Sequence, residues 1–193
     1  MSRDYLFRYF YRWVSTMKNA HVCHDKNIVC FCNDKYHAHI IFYKEFNMME
    51  LSIEDKWTEK NVFYLHFEMM DILSTRKNIL SFFQFLKDEN HHNKVNSSLK
   101  LSSLKILICC TSGLTSHYYA SLMQQAQQNI IVDAYPIMNV EEVANDYDII
   151  LLAPQVAYMY PSLKRKFGKK VMEVEAMDFA TGNVNHTLES IFV

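Results

Sequence analysis

LKILICCTSGLTS, residues 104–116, decides the fold of the second half of this chain. Its first part, 105–110, is apolar without alternation after Lys105, as expected of a strand buried on both faces. Cys110 ends that run, and Thr111, Ser112, Gly113, Leu114, Thr115 and Ser116 follow. Small hydroxylated residues and a glycine, placed where a helix is about to begin, make an anion cradle. Backbone N–H groups face inward, and the helix N-terminus adds partial positive charge. Such an environment lowers the pKa of a thiol and favours the thiolate as nucleophile. Glycine allows a tight backbone path, and the chain has only three.

Outward from this loop the sequence alternates strand and helix. Helical spacing covers 115–128, 140–145, 158–167 and 184 to the end; strand-like runs cover 130–134, 148–152 and 170–174. Strands alternating with helices predict an open four-stranded parallel sheet flanked by helices. Ligands of such sheets bind at the carboxyl ends of the strands, which is where Cys110 stands.

The first half reads differently. Residues 5–17 have helical apolar spacing through Leu6, Phe10, Trp13 and Met17. Four β-rich runs follow at 28–32, 36–43, 49–53 and 62–68, and helical spacing returns over 71–87 through Ile72, Leu73, Ile79, Leu80, Phe83 and Leu86. These predict a small α+β domain, an antiparallel sheet with helices on one face. Between the halves, 88–103 is polar and without period, and reads as a linker. The expected organisation is a domain at 1–87, a linker at 88–103 and a second domain at 104–193.

Two segments of the second domain resemble enzyme IIB of the lactose/cellobiose-type bacterial sugar phosphotransferase system. KILICCTSGLTSHYYASLMQQ (105–125) is similar to that family's first strand, phosphoryl-cysteine loop and first helix. DYDIILLAPQVAYM (146–159) is similar to its third strand and Gly-Pro-Gln-x-x-Tyr-Met turn. The low-molecular-weight tyrosine phosphatase loop, Cys-x5-Arg, is a poorer match. Ser116 stands where its phosphate-clamping arginine would be, so storing phosphate is favoured over hydrolysing it. The resemblance implies that Cys110 accepts a phosphoryl group from a phosphohistidine on enzyme IIA. Cys110 then passes it to a sugar bound by membrane enzyme IIC. The loop 111–116 would bind the phosphate, with His117, Pro154, Gln155 and Tyr158 as accessory candidates. No cofactor or metal is implied, and membrane association is expected only through IIC.

Two departures from the family pattern stand out: Ala153 replaces glycine before Pro-Gln, and His117 replaces a small hydroxylated residue. Cys109, next to the nucleophile, is expected to point into the core. A second reading is a regulator whose IIB-like domain senses phosphorylation state without transporting sugar, because a plain carrier needs no first domain.

Composition sets the outer bounds. Half of the 193 residues are apolar and 14% aromatic, which excludes a disordered chain, and a formal charge of −1 gives no electrostatic case for nucleic acid. MSRDYLFRYFYRWV lacks the unbroken apolar core of a signal peptide, and no run approaches the ~20 apolar residues that span a bilayer. Arg3, Arg8 and Arg12 among the aromatics of that first helix fit a membrane-surface helix less well than a core one. Five cysteines, two of them vicinal, are a poor disulfide framework. The expectation is a cytoplasmic protein with reduced thiols. His21, Cys23, His24, Cys30 and Cys32 are zinc-ligand types, but their spacing fits no common finger, so no metal site is expected there.

Overall fold

The computed structural model describes residues 3–25, 27–87, 104–112 and 114–191. The chain divides into two compact units, Met1–Asn90 and His91–Val193. The stretch read as a linker, 88–103, lies outside the described residues.

The N-terminal unit is an antiparallel meander with two helices. Helix α1 (Arg3–Ser15) leads into β1 (His21–Val22), β2 (Ile28–Cys30), β3 (Tyr36–Tyr43), β4 (Met48–Asp55) and β5 (Lys60–Glu68), hydrogen-bonded in that order, and α2 (Ile72–Lys87) follows. Strand alternation decides the layers. Ala38, Ile40, Phe42, Met49, Leu51, Ile53, Phe63, Leu65 and Phe67 are buried on one face. Both helices cover that face: Phe7 and Tyr11 of α1 meet Phe42 edge-on, and Phe82 and Phe85 of α2 meet Phe63. In α1, Leu6, Phe10 and Val14 are the buried stripe.

Four details correct the sequence reading of this unit. There are five strands rather than four, because β1 has only two residues and pairs through its neighbour rather than through a pattern of its own. Strand β2 ends at Cys30, so Cys32 lies beyond it. Leu73 and Leu80 are exposed, while α2 buries Thr75, Asn78, Ile79, Phe82 and Phe85. The helix is capped at its start, where Asp71 Oδ1 accepts the N–H groups of Leu73 and Ser74, at 2.8 and 2.9 Å. Finally, Cys23 and Cys30 form a disulfide, against the expectation that all thiols are reduced. The β1–β2 hairpin explains it, since His21 pairs with Cys30 and the Cys23 N–H donates to Ile28 O at 2.9 Å.

The C-terminal unit is the expected parallel sheet. Its strands are β6 (Leu104–Cys110), β7 (Ile130–Pro136), β8 (Ile149–Leu152) and β9 (Val171–Glu173), ordered β7-β6-β8-β9. Its helices are α3 (Leu114–Ala126), α4 (Val140–Val143), α5 (Tyr160–Phe167), α6 (Ala176–Thr181) and α7 (Val184–Ile191). Central β6 is buried from Ile106 to Cys110, which explains its unbroken apolar run. Leu107 and Cys109 face a core shared with Val140, Ile150, Leu152, Leu163 and Val171. The predicted helix over 140–145 is shorter than expected and ends in a 3-10 turn. The one predicted over 158–167 begins at Tyr160, after the 3-10 turn Pro154–Met159. Helix α6 was not foreseen. It ends at Gly182, whose φ of +70° favours glycine, and a Cβ there would stand 3.1 Å from Leu122 Cδ1.

Candidate functional site

Cys110 is the last residue of β6, and α3 begins four residues later. Residue alternation puts Cys109 and Cys110 on opposite faces of the sheet. Cys109 is fully buried in the core behind it, and burial pushes its thiol up to about 12, with Cys110 adding to the effect. A thiol so raised is neutral near pH 7 and a poor nucleophile. The Cys110 sulfur instead faces the first turn of α3. It lies 3.1 Å from Ser116 Oγ, and Thr115 Oγ1 donates to it at 3.9 Å. Helix geometry leaves the N–H groups of that first turn without intrahelical acceptors. Sulfur, two hydroxyls and a helix N-terminus thus meet where the sequence placed the phosphate loop.

Thr111 and Ser112 are exposed at the mouth of this loop, whereas Cys110 is 1% and Ser116 0% exposed. Gly113 and the Leu114 side chain lie outside the described residues. The turn after β8 adjoins the site: Ala153 N–H donates to Cys109 O at 2.9 Å, carrying the β6–β8 ladder past the last strand residue. This places Pro154–Met159 beside the cysteine end of β6. Pro154 and Gln155 are buried, and Gln155 Oε1 has no hydrogen-bond partner among the described residues. Tyr158 is 36% exposed. His117 is not brought onto the sulfur. It lines an open groove of about 430 Å³ between α3 and β7, with Ser121, Gln124 and Asp133.

Helix α3 is anchored by residues the sequence reading did not single out. Tyr119 is buried, stacks on Phe179 with centroids 5.0 Å apart, and bonds Thr187 Oγ1 at 2.7 Å. Burial pushes its phenol well up. Next to these residues the buried Asp178 receives His186 Nδ1 at 2.6 Å. No spacing motif announces this pair, because the turn at Gly182 and Asn183 brings the two together.

The Asp178 hydrogen bond, reinforced by its charge, raises the pKa of His186 above 6.5. Burial raises that of Asp178, partly offset by His186. A histidine raised on folding contributes stability that is complete below its unfolded pKa and is lost as pH rises through the folded one. The pair therefore adds least to stability above the raised His186 value. His186→Gln is expected to flatten this part of the pH profile. Denaturant melts at several pH values above 6.5 check it, and a wild-type profile matching the variant's would contradict it.

Residues 105–190 match the family described as PTS system, Lactose/Cellobiose specific IIB subunit. Among solved structures, the chain is similar to the lactose-specific IIB component domain of the phosphoenolpyruvate:carbohydrate phosphotransferase system from Streptococcus pneumoniae. Identity is 21% and the TM-score 0.40, over 46% of this chain and 97% of that one. The family match bears out the resemblance carried by the loop and turn motifs. It supports a phosphotransfer role for the C-terminal unit within the sugar phosphotransferase system. No helix among the described residues is long and apolar enough to cross a membrane.

Proposed function

We propose that this chain carries phosphoryl groups on Cys110, taking them from a phosphohistidine of enzyme IIA and delivering them to a sugar held by membrane enzyme IIC. The observation that carries this reading is the Cys110 sulfur at the N-terminal turn of α3, 3.1 Å from Ser116 Oγ, inside the segment that matches the IIB family.

In the first step the sulfur attacks phosphorus in line with the histidine nitrogen. The S–P bond forms, the N–P bond breaks, and the thiol proton ends on the released imidazole. In the second step a sugar hydroxyl attacks the same phosphorus. The S–P bond breaks, a sugar O–P bond forms, and the hydroxyl proton returns to sulfur. Both steps rest on positioning and charge neutralisation. Ser116, Thr115 and the N–H groups of 111–116 supply the neutralising donors in this reading.

A second reading has one specific support, the compact N-terminal unit that lies wholly outside 105–190. In it, the phosphorylated cysteine reports sugar flux instead of feeding it, and the N-terminal unit relays that state. Both readings place the chain in the cytoplasm, where the soluble phosphohistidine donors act. The test is sugar phosphorylation by vesicles bearing enzyme IIC, given phosphorylated enzyme IIA with and without this chain. Turnover that depends on the chain supports transport. Uptake of phosphate by the chain without sugar phosphate supports the regulatory reading.

A further inference from the structure

The N-terminal unit carries a cluster of soft-metal ligands on the solvent face of its sheet. Its sequence is Cys30-Phe31-Cys32-Asn33-Asp34-Lys35-Tyr36-His37-Ala38-His39. Phe31 points to the helices, its ring 4.9 Å from that of Phe83 and 6.4 Å from that of Phe82. Ala38 and Ile40 are fully buried on the same inner face. Alternation then places Cys30, Cys32, His37 and His39 together on the outer face. Cys30 pairs with His39, the Phe31 N–H donates to Ala38 O at 2.8 Å, and Cys32 Sγ lies 3.5 Å from His37 Nδ1.

The result is a two-by-two array. Two sulfurs follow one another on one strand path, and two imidazoles stand opposite on the next. Facing Cβ atoms in an antiparallel pair are about 4.5–5.5 Å apart, and next-but-one residues along a strand about 7 Å. Cysteine and histidine side chains can span that square to one central point. The turn between them is held independently, since Asn33 Oδ1 accepts the N–H groups of Lys35 and Tyr36 at 2.9 and 2.7 Å. Behind the histidines, Glu54 pairs with His37 and Ser52 with His39 across the β3–β4 ladder. Side-chain oxygens at those two positions can hold the ring N–H groups that face away from the centre, the usual support of metal-binding histidines.

One bond stands in the way. Cys30 is joined to Cys23, and in that state no three histidine, cysteine, aspartate or glutamate side chains among the described residues are arranged to hold an ion. We propose that, once the Cys23–Cys30 disulfide is reduced, Cys30, Cys32, His37 and His39 bind one zinc-like divalent ion in tetrahedral S2N2 coordination. This corner of the sheet then holds either a disulfide or a metal, never both.

The chemistry balances with a dithiol as reductant. It gives two electrons and two protons to the Cys23–Cys30 bond, leaves two thiols, and becomes a disulfide itself. Metal entry then displaces the protons of Cys30 and Cys32 to water, while both histidines bind as neutral imidazoles. Two thiolates with two imidazoles at tetrahedral spacing suit zinc over the hard cations magnesium and calcium, which prefer oxygen. Cys23 stays outside the array, one residue past the edge strand β1, where its N–H donates to Ile28 O.

The experiment is a cobalt(II) titration of the full chain followed by absorption. A phosphine serves as reductant because it delivers the same electron pair, taking its oxide oxygen and the two thiol protons from water, and adds no thiol that would compete for metal. The reduced wild type is expected to bind one cobalt per chain, with the thiolate charge-transfer and intense d–d bands of a tetrahedral site. The oxidised wild type is expected to bind none. Cys23→Ser is expected to bind without any reductant, a gain that misfolding does not imitate. Cys110→Ser binds like the wild type. Cys32→Ser, at an exposed position, and His39→Gln each weaken binding by about a hundredfold or more, at least the scale of losing an outer-shell partner. The proposal is overturned if the reduced chain takes up no cobalt, or if its spectrum lacks sulfur charge transfer. It is also overturned if Cys32→Ser and His39→Gln, folded by circular dichroism, bind as tightly as the wild type.

Discussion

Cys110→Ser is expected to leave the chain folded and to remove its support of sugar phosphorylation. The substitution replaces one atom at the end of β6, in a site where Ser116 Oγ already sits 3.1 Å away, so packing changes little. The chemistry changes greatly, because a serine hydroxyl is not ionised near pH 7 and lacks the nucleophilicity of a thiolate. Removing the nucleophile of an enzyme that works through a covalent intermediate costs on the order of 10⁶ in rate. The expected turnover in the vesicle assay is therefore background. Ser116→Ala is expected to fall about 10²-fold, the scale of losing one donor to a developing anion. A Cys110→Ser protein that still supports sugar phosphorylation above background would move the chemistry elsewhere in the chain.

The second large effect concerns stability. Phe82 is fully buried in α2, and its ring lies 5.8 Å from Phe63, 5.2 Å from Phe83 and 6.4 Å from Phe31. Phe82→Ala is expected to cost about 3–5 kcal/mol, from lost transfer energy and the cavity left behind. A small unit has only about 5–15 kcal/mol in total. The melting transition of the N-terminal unit is then expected to fall by ~15 °C or more. Phosphoryl uptake at Cys110, measured below that transition, is expected to persist, since Phe82 belongs to the other compact unit. Calorimetry of both proteins checks this; a shift of only a few degrees would mean that the aromatic cluster does not hold the unit together.

Much of the C-terminal unit was legible because its signals are local. An unbroken apolar run ending in Cys110 requires a strand buried on both faces, and the small residues after it require a helix start. Both hold, as does the turn at Pro154–Met159. The missed features depend on contacts between distant residues. The two-residue strand β1 exists only by pairing with β2, and that pairing alone brings Cys23 to Cys30. Leu73 and Leu80 fit a helical period as well as Phe82 and Phe85 do, and only the sheet beneath α2 selects the aromatics. Asp178 and His186 are ordinary residues in sequence, made a pair by the turn between α6 and α7. His117, singled out from the family pattern, faces the α3–β7 groove instead of the sulfur.

Every step proposed for the C-terminal unit needs Cys110 as the phosphoryl acceptor. The most direct test of that role is the intact mass of the reduced full chain after incubation with phosphoenolpyruvate, enzyme I, the phosphocarrier protein and enzyme IIA, with Cys110→Ser alongside. One phosphoryl group per wild-type chain is expected, located by fragmentation on the peptide carrying Cys110, and none on the variant. No phosphoryl group on the wild type with several enzyme IIA proteins, or one retained by Cys110→Ser, would contradict it.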